Sequence, residues 1–214
     1  MIFKIKSEKD EFVESVYNKS MKELSKFYDL DWKNNKPIIV LVNNRENINS
    51  LYGMQTEGWV VGWTDRNKIF LLNYKNYEKE STHKYSEEEY TALLKHELSH
   101  AFFGMKTRRA IYKPIWFNEG LAVFTSGQNK FKEKVTKFEN FLNFYDNKSQ
   151  GSRFVYKESG FVIELLVKKF GKEKLMKLIE SLDNVKNKED FEKSFKKIYG
   201  FEISYNKLNK LLKK

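Results

Sequence analysis

Every strand-like run in this 214-residue chain lies between residues 38 and 72, and from Ile115 onward the apolar spacing is helical. Strands gathered in one stretch and helices in another predict an α+β fold rather than an alternating α/β one. Lys36-Pro37 breaks into Ile38-Ile39-Val40-Leu41-Val42, a buried strand. Trp59–Trp63 and Lys68–Leu72 are β-rich, and Thr64-Asp65-Arg66-Asn67 between them reads as a four-residue hairpin loop. Before them, residues 8–28 carry Phe12, Val13, Val16, Tyr17, Met21, Leu24, Phe27 and Tyr28 at helical spacing. Asn43–Tyr52 reads as a loop and short helix, and Asn73–Tyr85 as a polar loop. The later helices are expected at 115–126, 130–146, 152–170, 172–183, 187–199 and 202–212, punctuated by Gly127, Gly151, Gly171 and Gly200. The expectation is a small, mostly antiparallel sheet with an N-terminal helix, followed by a helical half. All of it forms a single domain over 1–214, with 1–85 the helix-plus-sheet portion and 86–214 the helical portion.

The chain has no cysteine. Disulfides, thiol nucleophiles, iron–sulfur clusters and sulfur-ligated zinc are therefore excluded. The net charge of +11 comes from 35 Lys and only 5 Arg. Arg, not Lys, dominates bidentate readout of phosphates and bases, so nucleic acid is not the expected partner. No apolar run approaches the roughly 18 residues of a membrane span. Met1–Asp10 alternates charged and apolar residues and lacks the hydrophobic core of a signal peptide. As written, the chain is expected in the cytoplasm, or exported if a leader has been removed.

With three histidines in the chain, their placement carries weight. Ser86 followed by Glu89 is a capping box that opens a helix expected to run through Phe103 and stop at Gly104. Inside it stand His96-Glu97-Leu98-Ser99-His100. Histidines at i and i+4 share one helix face, about 6 Å apart at Cβ, so both imidazoles can reach one metal ion. Glu97 sits one step round, where its carboxylate reaches a metal-bound water rather than the metal. This is the H-E-x-x-H arrangement of zinc peptidases. Catalytic zinc takes three protein ligands, so a third is needed. His83 lies in the preceding polar loop. Glu119 is the better candidate: it stands inside the apolar helix Trp116-Phe117-Asn118-Glu119-Gly120-Leu121-Ala122, and that second helix, running antiparallel to the first, would bring it against the histidines.

H-E-x-x-H, eighteen residues, then N-E-G-L-A resembles the gluzincin metallopeptidases of the thermolysin and membrane-alanyl-aminopeptidase type. Small bacterial peptidase MA-like domains, which carry a W-x-x-E-G-x-A helix, are the nearest group. Residues 86–127 carry the specific resemblance. A looser one spans about 38–183 and includes Tyr156, Ser159 and the Phe170-Gly171 end of a later helix. The resemblance implies a zincin-like fold, Zn2+ held by His96, His100 and Glu119, and Glu97 as general base. It also implies a Tyr or His that stabilises the oxyanion. Tyr156 fits the family's Tyr at the start of the following helix; Tyr112 and His83 are the other candidates. The strand Lys68–Leu72 corresponds to the family's sheet edge, on which a peptide or protein substrate pairs as an added strand.

Two departures qualify the resemblance. The family's Asp four residues after the third ligand is Val123 here, so a partner for a histidine must come from elsewhere, Asn118 or a backbone carbonyl. The aminopeptidase Glu that holds a substrate amine has no counterpart in Lys68–Leu72, so endopeptidase action is expected. The implied chemistry is hydrolysis by a water whose pKa zinc lowers to about 7. Two other readings compete with it: a metal-binding regulatory protein, and a nucleic-acid-associated protease-like protein with little general activity.

Overall fold

The computed structural model describes residues 7–146 and 154–213. It divides into two units, Met1–Ala101 and Phe102–Lys214, with the division falling inside one continuous helix. The class is α+β, as the segregation of strands and helices predicts.

In the first unit, helix α1 is Glu11–Tyr28. It begins three residues later than expected because the Asp10 side chain accepts the Val13 N–H at 3.0 Å and so caps it. Strand β1 is Ile38–Val42, and helix α2, Arg45–Tyr52, is capped by Asn44. Strands β2 (Gly62–Asp65) and β3 (Lys68–Leu72) complete the sheet.

The strand order is β1-β3-β2, with β1 parallel and β2 antiparallel to β3. The sheet is therefore mixed, not mostly antiparallel. Residues 43–67, which carry α2 and β2, supply the long connection that a parallel pair requires. The run Lys68–Leu72 is consequently central and hydrogen-bonded on both sides; β2 is an edge.

The second strand also lies later than expected. Arg45 accounts for this. Its Nη1 donates to the carbonyls of Glu57 and Val60 at 3.2 and 2.7 Å, and its Nη2 to those of Gly58 and Glu80 at 3.0 and 2.8 Å. That clamp holds residues 57–60 out of the ladder. At the other end Asp65 pairs with Lys68, so the hairpin loop is only Arg66-Asn67, with Arg66 left-handed at φ 55°. Thr64, expected in the loop, is on the strand. Trp63 and Phe70 face each other in register and stack with ring centroids 4.6 Å apart. Val42, Ile48, Val61, Leu72, Tyr77 and Tyr90 form a buried cluster beside them.

Asn73–Tyr85 holds a short helix, α3, at Tyr77–Glu80. Helix α4, Glu87–Lys106, opens where expected: Ser86 Oγ accepts the Glu89 N–H at 3.1 Å. It passes through Gly104 instead of stopping there. It ends where the Thr107 hydroxyl and N–H both turn back onto the Phe103 carbonyl, at 2.6 and 2.9 Å. Tyr90 Oη donates to the Leu72 carbonyl at 2.9 Å, and Tyr28 Oη lies 2.8 Å from Ser99 Oγ. These two contacts fix the helix against β3 and α1.

The second unit contains α5 (Ile115–Ser126), α6 (Phe154–Phe170), α7 (Lys172–Ser181), α8 (Lys188–Tyr199) and α9 (Tyr205–Leu212). Of the expected helix at 152–170, residues 152 and 153 lie outside the described residues, as does the expected Gly151 break. The helix expected at 130–146 does not form. Only short 3-10 turns occur there, at Gln128–Phe131 and Phe141–Asn143.

The reason is competition for backbone donors. The buried Glu158 carboxylate on α6 accepts the N–H groups of Glu139, Asn140 and Phe141 at 2.9–3.1 Å. Asn209 Oδ1 takes the Phe138 N–H at 2.7 Å, and Tyr205 Oη takes that of Leu142 at 3.1 Å. Carbonyls of the same segment in turn serve α5: Tyr145 and Phe144 accept the Ile115 and Trp116 N–H groups at 3.3 and 2.8 Å. These are donors that a helix start leaves unpaired. A helical 130–146 would forfeit all of this.

Helices α5 and α6 pack closely through glycine. A Cβ on Gly120 would stand 2.7 Å from the Ser159 carbonyl oxygen, and one on Gly160 2.3 Å from Val123 Cγ1. Among the described residues no helix is long and apolar enough to cross a membrane.

Candidate metal centre

The i, i+4 spacing on α4 sets His96 and His100 side by side, with Nε2 atoms 3.0 Å apart. Ligand nitrogens on one tetrahedral zinc, at bond lengths of about 2.0–2.1 Å, lie roughly 3.3–3.4 Å apart. The two nitrogens are therefore close enough to share one ion. Glu119 on α5 joins them: one ligand atom from each of His96, His100 and Glu119 lies within 4.8 Å of the others. His96 is buried, and His100 and Glu119 are half-buried. Two imidazole nitrogens and a carboxylate oxygen are a donor set that suits zinc and other borderline divalent ions. This group can hold a metal ion.

Comparison with protein-family models, with curated proteins and with solved structures found no match.

Glu97, next to His96 in the chain, is not a member of that ligand group. It is buried, and Thr64 Oγ1 on β2 lies 2.9 Å from its Oε2 and 2.9 Å from its main-chain oxygen. The β2 backbone also lies close to it, since a Cβ on Gly62 would come within 3.3 Å of Glu97 Oε1. One carboxylate of the H-E-x-x-H segment is thus seated on the sheet while the histidines face the ligand position.

Around Glu119, Gly120 is required by the close approach of α6, which gives the N-E-G sequence a packing reason. Val123 is fully buried against Gly160, so the position where the resembled family carries Asp is used here for packing. Tyr156 is half-buried in the first turn of α6. Its carbonyl accepts a hydrogen bond from Lys132 Nζ at 2.7 Å. His83 is exposed, with Nε2 3.0 Å from the Trp59 carbonyl oxygen. The Tyr112 hydroxyl donates to the Tyr145 carbonyl at 3.4 Å, and burial with the neighbouring Asp146 holds its pKa above the ordinary tyrosine value.

Sequence reasoning missed two residues of this region. Thr64 falls in the expected hairpin loop, and Lys132 within the expected helix at 130–146, which does not form. Burial pushes the Lys132 ammonium down to about 8, against the pull of the Glu119 carboxylate. Nothing in the local sequence marks either one.

The depressed Lys132 pKa has a measurable consequence for the metal-free protein. Below pH 8 the residue is protonated in folded and unfolded chains alike, and the full burial penalty acts. Between about 8 and its ordinary 10.5 the unfolded chain holds more protons, so this residue's contribution to stability rises with pH. Lys132→Met should therefore be most stabilising relative to wild type at pH 7, with the difference shrinking by pH 10. Paired urea titrations at the two pH values measure it; a pH-independent difference would contradict the burial.

Proposed function

We propose that this chain is a zinc-dependent metallopeptidase of gluzincin type, acting as an endopeptidase on extended peptide segments. The observation that carries the reading is the division of labour on α4. His96 and His100 meet Glu119 in a three-donor group, while Glu97 is excluded from it and seated by Thr64. A structural metal site needs no adjacent carboxylate held apart from the ion, whereas hydrolysis needs a base beside it.

A bound zinc would supply Lewis acidity and an activated water. The chain's own residues do the rest. His96, His100 and Glu119 hold the ion. Glu97 accepts the proton released as water attacks the scissile carbonyl and passes it to the leaving amine. Tyr156 is retained as the proposed oxyanion donor, with its first-turn position on α6 as support.

Substrate capture is assigned to β2. It is an edge strand, and it carries Thr64, which bonds Glu97, and Gly62, where a Cβ would meet it, so a peptide added along it runs past the base. Main-chain pairing places weak demands on sequence. No acidic residue lies within Lys68–Leu72, and on β2 only Asp65, at the hairpin end, is acidic.

The zinc-loaded protein should cleave end-blocked peptides at least as well as aminoacyl reporter amides, and a chelator should abolish both. Cleavage confined to free-amine reporters would replace this reading with an aminopeptidase. Absence of any cleavage by a zinc-loaded, folded chain would refute it.

A further inference from the structure

We infer that Gly62 and Thr64 of strand β2 form a built seat for Glu97 that assigns different tasks to its two carboxylate oxygens. The inference rests on the reading of Glu97 as general base.

Residues i and i+2 of a strand share a face, and on β2 that face is turned toward Glu97 at both positions. Trp63, between them, points the other way onto Phe70, which fixes the strand's rotation. Thr64 Oγ1 lies 2.9 Å from Glu97 Oε2 and 2.9 Å from the Glu97 carbonyl oxygen. A hydroxyl has one proton to give. The carbonyl sits inside α4, where a helical N–H already serves it. The carboxylate is therefore the better acceptor, and the bond to it is charge-assisted. Oε2 is held.

Gly62 acts on the other oxygen. A Cβ there would stand 3.3 Å from Oε1, 3.3 Å from Cγ and 2.9 Å from Leu71 Cδ2. The missing side chain leaves Oε1 its room. Oε1 is then the atom that takes one proton from the attacking water and later returns it to the leaving amine, while Oε2 stays on Thr64 throughout. Thr64 is a positioning residue: its side chain acts through Glu97 and not on the reacting atoms or the metal.

The test compares zinc-loaded wild type, Thr64→Val, Thr64→Ser, Gly62→Ala, Glu97→Gln and the Thr64→Val/Glu97→Gln double variant on an end-blocked peptide. Thr64→Val should keep its zinc and its unfolding temperature, lose on the order of 10-fold in kcat and change KM little. Thr64→Ser should restore most of the loss. Gly62→Ala should also lose kcat with zinc retained, because Glu97 must shift by a few tenths of an ångström. In the Glu97→Gln background Thr64→Val should cost nothing further, since residues acting as a unit are not additive. An equal loss in both backgrounds, or an unchanged kcat in Thr64→Val, overturns the seat.

The carbon-13 carboxyl resonance of Glu97, assigned by its absence in Glu97→Gln, gives a second readout that needs no turnover. It should move in Thr64→Val and return in Thr64→Ser. If the wild type cleaves no peptide yet the resonance responds in this way, the seat stands and the peptidase reading falls. A resonance indifferent to Thr64 overturns the seat.

Discussion

Glu97→Gln is expected to keep its zinc and its fold while turnover falls by about 10²–10⁴-fold, the usual scale for losing an acid–base group. The side chain is buried and outside the ligand group, so the substitution removes no donor to the ion. Gln has the same shape, and its amide oxygen can replace Oε2 as the acceptor for Thr64 Oγ1. That orientation turns the amide nitrogen, a donor, toward the place where a proton must be accepted. The variant is thus held in position and chemically disabled. Zinc content by emission spectroscopy and kcat on an end-blocked peptide are measured together. Loss of zinc with the activity would make Glu97 a ligand, and unchanged activity would remove it from the mechanism.

The second large effect concerns the ligands. The purified chain should bind one zinc, and His96→Ala, His100→Ala and Glu119→Ala should each lower its affinity by more than the roughly 100-fold typical of a lost outer-shell partner. Two donors of the three cannot complete a catalytic site. Glu119 needs an extra control, because Ala also removes the carboxylate beside the half-buried Lys132. Leaving a buried charge without its partner destabilises by itself. Glu119→Gln keeps the volume and Lys132→Met removes the charge, so the two separate ligand loss from that penalty. His83→Ala should bind zinc like wild type, since His83 is exposed and lies at Trp59. Saturating zinc should also raise the unfolding temperature by mass action, in wild type and His83→Ala but not in the ligand variants. A wild-type chain that cannot be loaded would eliminate the site, and a His83→Ala chain that loses its zinc would change the ligand set.

What could be read from the sequence was what short stretches of chain decide by themselves. Ser86 caps α4 through an N–H three residues away, and His96 and His100 share a face because they are four residues apart. Helix α5, Ile115–Ser126, is flanked by Pro114 and a left-handed Gly127 at φ 80° and has the bounds its apolar spacing gives. These interactions close within one helical turn, so no tertiary partner can easily override them. The rest was decided across long separations. Residues 130–146 have the spacing of a helix, but their backbone donors go to Glu158, 17–19 residues away, and to Tyr205 and Asn209, 63 and 71 residues away. Which strand is the sheet edge depends on a crossover that pairs β1 with β3, a choice the strands' own residues do not encode. Thr64 reaches Glu97 over 33 residues, and half-buried Lys132 reaches the Tyr156 carbonyl on α6 over 24. Periodicity and capping record what a segment does with its neighbours in sequence; a buried carboxylate competing for backbone N–H groups is visible only once the chain has folded.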